Sequence, residues 1–591
     1  MTTLNSIGKI FISSAYSVEF MDFDTPYLTK QIIAYIGNKR KLLSLIYAAL
    51  EQSGVKFGAG TTFADVFSGS GVVSRFAKAL GFEVYTNDWE PYAEMLSQGF
   101  IALNQSECKK LFGGEESFNA LIEKINALPD PAPDDQYIAK YYAPHTTDIA
   151  QADFHTERLF YTRENALALD KMRNYIEEAF PAKDDPRRHI LIALLIYEAA
   201  THTNTSGVFK AFHKGFGGHG KDALNRILAP IRLHTPVLID SDAPVHIFRQ
   251  DANELVQHLP EVDVVYLDPP YNQHQYGSNY HLLNTIAEWD KIPEPMDLDE
   301  NGILVNKAAI RADWVKTRSL YCYKKTAAET FRDLVRHIRA KLLLVSYSSD
   351  GIIPFEEMKT ICLEKGYVSI VTSSYTVYRG GKQSNSRKNT DIEFILVIDT
   401  TRKAQPECSE RIDKVILEKK ILLLLKRRYN HSRLAQNGIL TNDSFEISLN
   451  EVADSPSVVS DASVNKRTIV FRCEYGFTLS LPDDPSQYSY AELKSICAVL
   501  EKCVCYTKVE ELRELIRLTT DSSLPIVSAK KYIKQIPATL KKFAQKKYKT
   551  EFYTMLEEVN RLTTVRSDIY PLIAEKISAV VAQAEIRFRV I

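Results

Sequence analysis

The sequence predicts an α/β fold built on an open, doubly wound, Rossmann-like sheet, and three segments predict it. TTFADVFSGSG reads as a short strand running into a glycine-rich turn, and VVSRFAKALGF after it has helical spacing. FEVYTND follows at the distance of a second strand and ends in Asp88. VDVVYL is an apolar run of strand type, closed by the turn residues Asp268-Pro269-Pro270-Tyr271.

Residues 1–29 form a polar, aromatic-containing lead with no legible role. The first half of the sheet domain spans 30–104: YIGNKRKLL is a basic turn leading into the amphipathic LLSLIYAALEQ, before the strand, turn and helix named above. About 200 residues separate Gly71 from Asp268, far more than one strand-to-strand crossover needs, so an embedded module is required. That insertion is placed at 105–240. It contains the loop-forming LPDPAPDD, then helical spacing in ALALDKMRNYIEEAF and HILIALLIYEAATHT. The second half of the sheet domain spans 241–400, with later strands in KLLLVSYSSDG and TDIEFILVID and a basic turn, YRGGKQSNSRK, between them. Residues 401–591 read as a separate α+β domain: a helical run from ERIDKVILEKK, a strand pair around KRTIVFRCEYGFTLSL, and helices to the end.

Composition sets the class. With 591 residues, 45% of them hydrophobic, the chain can bury more than one core. The eight cysteines are scattered without a disulfide or zinc framework, and Cys503 and Cys505 have no neighbouring histidine or second pair, so no metal site is expected. The first residues lack a basic stretch followed by a long apolar core, and the longest apolar run, ILIALLIYEAA, is too short to span a bilayer. A cytoplasmic enzyme without a membrane partner is the expectation. Net charge is only −1, but KKYIKQIPATLKKFAQKKYK carries eight lysines and no acid. It reads either as a solvated helix face or as a phosphate-tracking surface.

The tetrapeptide resembles the active-site motif of amino-group methyltransferases, and its chemistry suits that reaction. An exocyclic amine has its lone pair delocalised into the ring. Asp268 and the Pro269 carbonyl would each accept one amine hydrogen, two preorganised acceptors that stabilise charge developing on nitrogen. Pro269 and Pro270 fix the turn, and Tyr271 offers a flat face on which a base can stack. Together with YIGNKRKLL and DVFSGSG, these residues resemble the Dam-like, alpha-group DNA adenine-N6 methyltransferases over roughly residues 30–400, and the restriction-modification branch in particular. The resemblance implies S-adenosyl-L-methionine as donor, double-stranded DNA as substrate and a cognate restriction endonuclease as partner. It implies a Rossmann-like catalytic core with a helical target-recognition insertion, and a flipped-out adenine as the methylated base.

Position by position, the resemblance implies that Tyr35, Gly37 and Lys39 contact the donor and that Asp65, Phe67, Gly69 and Gly71 form the turn beneath it. Asp88 would hold the ribose hydroxyls, Asp251 would approach the donor's adenine amine, and Asp268, Pro269, Pro270 and Tyr271 would be catalytic. The motif DVFSGSG departs from the more usual form before Phe67 without removing a donor or acceptor. For DNA contact, THTNTSGVFKAFHKGFGGHG offers Asn204, Ser206, Lys210 and Lys214, and the segment after the tetrapeptide offers Tyr276, Asn279 and Tyr280. Glu492-x-Lys494 matches a short nuclease pattern but falls in a capped helical segment, whereas such a site wants a strand. Two rival readings stand beside this one: an amino-methyltransferase acting on cytosine N4 or on RNA, and a catalytically silent DNA-binding subunit.

Overall fold

The computed structural model describes residues 22–217, 222–372, 392–449 and 467–589. The chain divides into two compact units. One comprises Met1–Val371 with Phe394–Gln405, the other Thr372–Glu393 with Pro406–Ile591. The basic turn YRGGKQSNSRK, the lead up to residue 21 and the end of the histidine- and glycine-rich loop lie outside the described residues.

The first unit is built on a seven-stranded sheet: β1 Thr62–Asp65, β2 Glu83–Asn87, β3 Val245–Phe248, β4 Val262–Leu267, β5 Ala340–Ser348, β6 Tyr367–Thr372 and β7 Glu393–Asp399. Their order across the sheet is β3-β2-β1-β4-β5-β7-β6. The ladders from β3 through β5 are all parallel, with Phe63 opposite Val264 on one side and Val84 on the other. Parallel strands need both faces covered, which is why VDVVYL is an almost unbroken apolar run. Strand order reverses between β1 and β4. The carboxyl ends of these two strands therefore open onto a crevice where a ligand can sit.

Two cores support the sheet. Phe63, Val84, Val264, Tyr266, Leu342, Leu344, Ile395 and Val397 pack with helices Leu43–Gln52 and Val72–Ala79. The other core is helical and contains the insertion. Helix Pro186–His202, which carries ILIALLIYEAA, is apolar nearly all round and is buried by helices Pro91–Ser97, Arg163–Ala179 and His281–Glu288. The insertion thus shares its core with the helices flanking the sheet strands. Gly99 is part of the reason: a Cβ there would lie 2.6 Å from the Ala193 Cβ, so only glycine permits this approach.

Two strands of this sheet, β3 and β6, escaped sequence reading. They are the two edges of the sheet and are mostly half-exposed, so neither carries the signal of a buried central strand. The segment LPDPAPDD does form a short 3₁₀ turn, Pro133–Asp135.

In the second unit, a long helix, Pro406–Leu424, precedes a four-stranded antiparallel sheet. The sheet consists of β8 Ile439–Leu440, β9 Ser444–Leu449, β10 Arg467–Glu474 and β11 Thr478–Ser480, and the last two form the expected strand pair. Glu492 lies in the first turn of helix Tyr490–Cys503, where it forms a capping box with Ser489. That is the helical context that excludes the nuclease reading. Among the described residues, no helix is long and apolar enough to cross a membrane.

Arg75 links the fold to the site. It is 1% exposed and lies over the Phe100 ring. Its Nη1 donates to the carbonyls of Tyr27 and Lys30, 3.1 and 2.9 Å away, tying the segment that leads into Tyr35 to the helix after the glycine turn. Arg75→Ala should destabilise the protein by about 2–4 kcal/mol, because buried carbonyls lose their donor and a large volume empties. Urea unfolding checks this; a loss below about 0.5 kcal/mol would show that water replaces the guanidinium.

Candidate active site

The glycine turn is held open by hydrogen bonds rather than by side-chain packing. Beyond β1, the Val66 amide donates to the Tyr266 carbonyl at 3.3 Å and the Ser68 amide to the Asn87 carbonyl at 2.8 Å. The Asn87 side chain donates to the carbonyls of Val66 and Gln250, drawing the ends of β1, β2 and β3 together. Gly69 and Gly71 have φ of +52° and +76°. At Gly69 space matters as much as φ, since a Cβ would lie 2.6 Å from the Tyr35 ring. Asp88 braces the turn from the next strand, accepting from the Gly69 amide at 2.8 Å and the Glu90 amide at 3.0 Å.

Opposite the turn stands the tetrapeptide at the end of β4. Lys39 Nζ lies 3.0 Å from Asp268 Oδ1 and 5.0 Å from the centroid of the Tyr271 ring. Both partners are largely buried, with side chains 5% and 15% exposed. Burial raises the Asp268 carboxyl above its ordinary range, and the Lys39 ammonium opposes that shift. The Tyr271 carbonyl accepts from the Ile352 amide at 3.1 Å, and its ring meets Tyr347 edge-on. Gly37 fits because a Cβ would approach the Tyr271 hydroxyl to 3.2 Å.

The segment carrying Tyr35 to Lys39 is clamped by tyrosines that follow the tetrapeptide. The Ile36 amide donates to the Tyr280 hydroxyl at 2.8 Å, and the Tyr276 hydroxyl donates to the Ile36 carbonyl at 3.2 Å. Tyr35 stacks on Tyr280 with centroids 4.9 Å apart and accepts from the Tyr92 hydroxyl.

Between these parts lies a cleft open to solvent, with about 740 Å³ of empty space when the solvent at its mouth is included. Its walls include Phe67, Trp89, Tyr271 and Tyr321, and its acids are Asp88, Glu90, Asp251 and Asp268. Glu90 is 3% exposed and accepts from Asn284 Nδ2 at 2.6 Å. Burial pushes its carboxyl up to about 7, and the Asn284 hydrogen bond opposes this. Asp65, behind the turn, accepts from the Ser74 hydroxyl at 2.6 Å, and burial pushes it up to about 7 as well. Asp251 uses Oδ1 to cap helix Ala252–His258 while lining the cleft. Among the described residues, no three metal-ligating side chains gather to hold an ion.

Residues 35–295 match the family model for D12 class N6 adenine-specific DNA methyltransferases. This part of the chain is similar to that family. Relatives agree: the chain is 29% identical to the type II methyltransferase M.NlaIII of Neisseria lactamica, over 62% of this chain and 99% of that protein. It is 27% identical to the type II methyltransferase M.CviAII of Paramecium bursaria Chlorella virus 1, over 62% and 97%. It is 29% identical to the type II methyltransferase M.FokI of Planomicrobium okeanokoites, over 62% of this chain but only 52% of that protein.

In the matched region the structure brings Tyr35, Phe67, Asp88, Asp251, Asp268, Pro269, Pro270, Tyr271 and Tyr276 to one cleft. Other expected site residues stand elsewhere. Asp65 is 1% exposed, is not among the residues lining the cleft, and is occupied with Ser74. Lys39 is likewise behind the lining, on Asp268. Gly71 is the N-cap of helix Val72–Ala79. Asn204 is not available to a DNA edge: it is fully buried, and its amide nitrogen donates to the carbonyls of Leu159, His213 and Gly215. Asn279 and Tyr280 are buried too, and Tyr276 and Tyr280 are occupied in positioning Ile36. Polar side chains in a glycine-rich loop look alike whether they face solvent or satisfy a buried turn. Ser206, Lys210 and Lys214 are exposed, with Lys214 over the Phe154 ring.

Sequence reading missed Glu90, Trp89, Thr317, Ser319 and Tyr321, all on the cleft wall. Only Glu90 and Trp89 had a signal, their closeness to Asp88. The others come from a segment some 50 residues beyond the tetrapeptide and carry no motif.

The two raised carboxyls make stability depend on pH. Asp65 and Glu90 hold protons more tightly folded than unfolded, so their contribution is complete below about pH 4 and is lost as pH rises to about 7. Asp65→Asn and Glu90→Gln should each flatten the decline in urea-unfolding stability between about pH 4.5 and 7 and leave the protein more stable at pH 8. Variant curves parallel to wild type would remove the burial argument.

Proposed function

We propose that this chain transfers a methyl group from S-adenosylmethionine to N6 of an adenine flipped out of duplex DNA, as the modification enzyme of a restriction-modification system. The observation that carries this reading is the pairing of Asp268 with Lys39 at 3.0 Å, in a cleft whose other wall is the glycine turn braced by Asp88. The cleft's donor set suits the methyl donor. In this reading Asp88 accepts from a pair of ribose hydroxyls and Asp251 from an adenine amine, while Phe67 and Tyr321, which line the cleft with them, supply apolar surface. Four carboxyl groups favour a cationic ligand there. Bound in the cleft, S-adenosylmethionine supplies a methyl group already activated by its sulfonium.

The protein's own work is orientation and charge stabilisation. Asp268, paired with Lys39, accepts one hydrogen from the adenine amine, and the Pro269 carbonyl accepts the other. These bonds localise the nitrogen lone pair and strengthen as positive charge builds on nitrogen. Tyr271, its backbone held by Ile352, presents a ring face for the base. A cognate endonuclease belongs to this reading.

Asp268→Ala should retain cofactor binding in calorimetry and abolish transfer. Modification-sensitive long-read sequencing of DNA from cells expressing each form should show methyladenine at one motif with wild type and none with the variant. Near-normal methylation by the variant would refute the assigned role, and methylcytosine would move the reaction to another amine.

The second unit supplies a phosphate surface in this proposal. Lys530, Lys534, Lys541, Lys547 and Lys549 are exposed, as are their three companions, of which Lys531 pairs with Glu474. Replacing Lys530, Lys534, Lys541 and Lys547 together by alanine should weaken duplex binding and flatten its logarithmic salt slope, by up to about 0.9 for each phosphate left without a lysine. An unchanged salt slope would leave these lysines as an ordinary solvated face.

A further inference from the structure

One segment at the cleft mouth is more exposed and more rigidly held than the fold requires. Two 3₁₀ turns, Ala312–Thr317 and Leu320–Cys322, lie between the tetrapeptide and β5. Thr317, Ser319 and Tyr321 line the cleft, while Lys316, Arg318 and Leu320 alternate with them and are exposed. Leu320 is 52% exposed, and Val315 and Tyr323 nearby are 49% and 40% exposed.

An exposed leucine alone means little. Here the backbone that carries it is clamped. Gln275, four residues after Tyr271, accepts from the Ser319 amide at 2.8 Å through Oε1 and donates to the Ser319 carbonyl at 3.0 Å through Nε2. Tyr321 donates to Asn253 Oδ1 at 2.6 Å and meets Phe67 edge-on. Arg318 lies over the Trp314 ring at 4.9 Å. Both neighbours of Leu320 are therefore fixed to the catalytic framework, and the leucine is held with about half its surface in water.

A flipped base leaves a gap in the stack, and enzymes that open a duplex commonly fill such a gap with an apolar side chain while cations hold the flanking backbone. We propose that Leu320 is the wedge that occupies the stack vacated by the target adenine, with Lys316 and Arg318 on the adjoining phosphates. This rests on the reading of the cleft as the site of transfer to a flipped adenine. Leu320 is a positioning residue in that reaction: it touches neither the donor nor the reacting amine, and its preorganisation makes it easier to keep the base extrahelical.

The test uses the full chain and two duplexes containing its methylated motif, one fully paired and one with an abasic site opposite the target adenine. In single-turnover assays Leu320→Ala should lose about tenfold or more on the paired duplex and return to within about twofold of wild type on the unpaired one, because that base needs little help to leave the stack. Leu320→Met should keep most activity on both, and calorimetric affinity for S-adenosylmethionine should be unchanged in either variant. Equal loss on the two duplexes, or no loss on the paired one, would overturn the wedge while leaving the methyltransferase reading intact. Failure of wild type on both duplexes would overturn the reading itself.

Discussion

Burial in a cleft walled by aromatic rings penalises the charged form of a carboxyl, and the site depends on the Lys39 ammonium opposing that penalty at Asp268. The lysine reaches the tetrapeptide from a segment far earlier in the chain, so the architecture around both must hold a short ion pair between distant stretches of sequence. Arg75 holds the approach to that segment from below, and the hydroxyls of Tyr276 and Tyr280 hold the Ile36 peptide from both sides. The residues following the tetrapeptide thus position the residues that charge-balance it. Three regions of the chain close on one another, and none forms a site alone.

The same arrangement concentrates negative charge. Asp88, Glu90, Asp251 and Asp268 line the cleft, with Asp65 behind them, and burial raises the carboxyls of Asp65, Asp88, Glu90 and Asp268. Backbone amides and Ser74 offset part of this penalty: Asp88 accepts from the turn it braces, and Asp65 from the helix that follows. Unfavourable charge of this kind gathers where a ligand relieves it, and a cationic donor whose product has lost that charge fits the pattern.

Much of the core was legible because its motifs are local. A strand, two glycines at positive φ and a helix make one contiguous signal, and Asp-Pro-Pro-Tyr after an apolar strand makes another. Asp88 was readable as a residue just beyond a strand end, whereas Asp251 was implied only by the family resemblance. Reading failed where burial decides the role. Asn204, Asn279 and Tyr280 look like surface recognition residues in sequence, but each lies in a turn or helix buried by elements remote in the chain. β6 escaped because an edge strand half-exposed to solvent loses the apolar continuity of a central one.

By itself the sequence determined the sheet's central strands, the glycine turn, the Asp-Pro-Pro-Tyr turn after β4 and the need for a large insertion, since each is set by backbone conformation, apolar periodicity or spacing along the chain. Tertiary structure alone decided that Lys39 serves Asp268, that the insertion shares a core with the flanking helices, and that Thr317, Ser319 and Tyr321 wall the cleft with Leu320 at its mouth. The physical reason is the same in each case. Charge pairing, burial and exposure are properties of neighbours in space, and these neighbours are scores to hundreds of residues apart along the chain.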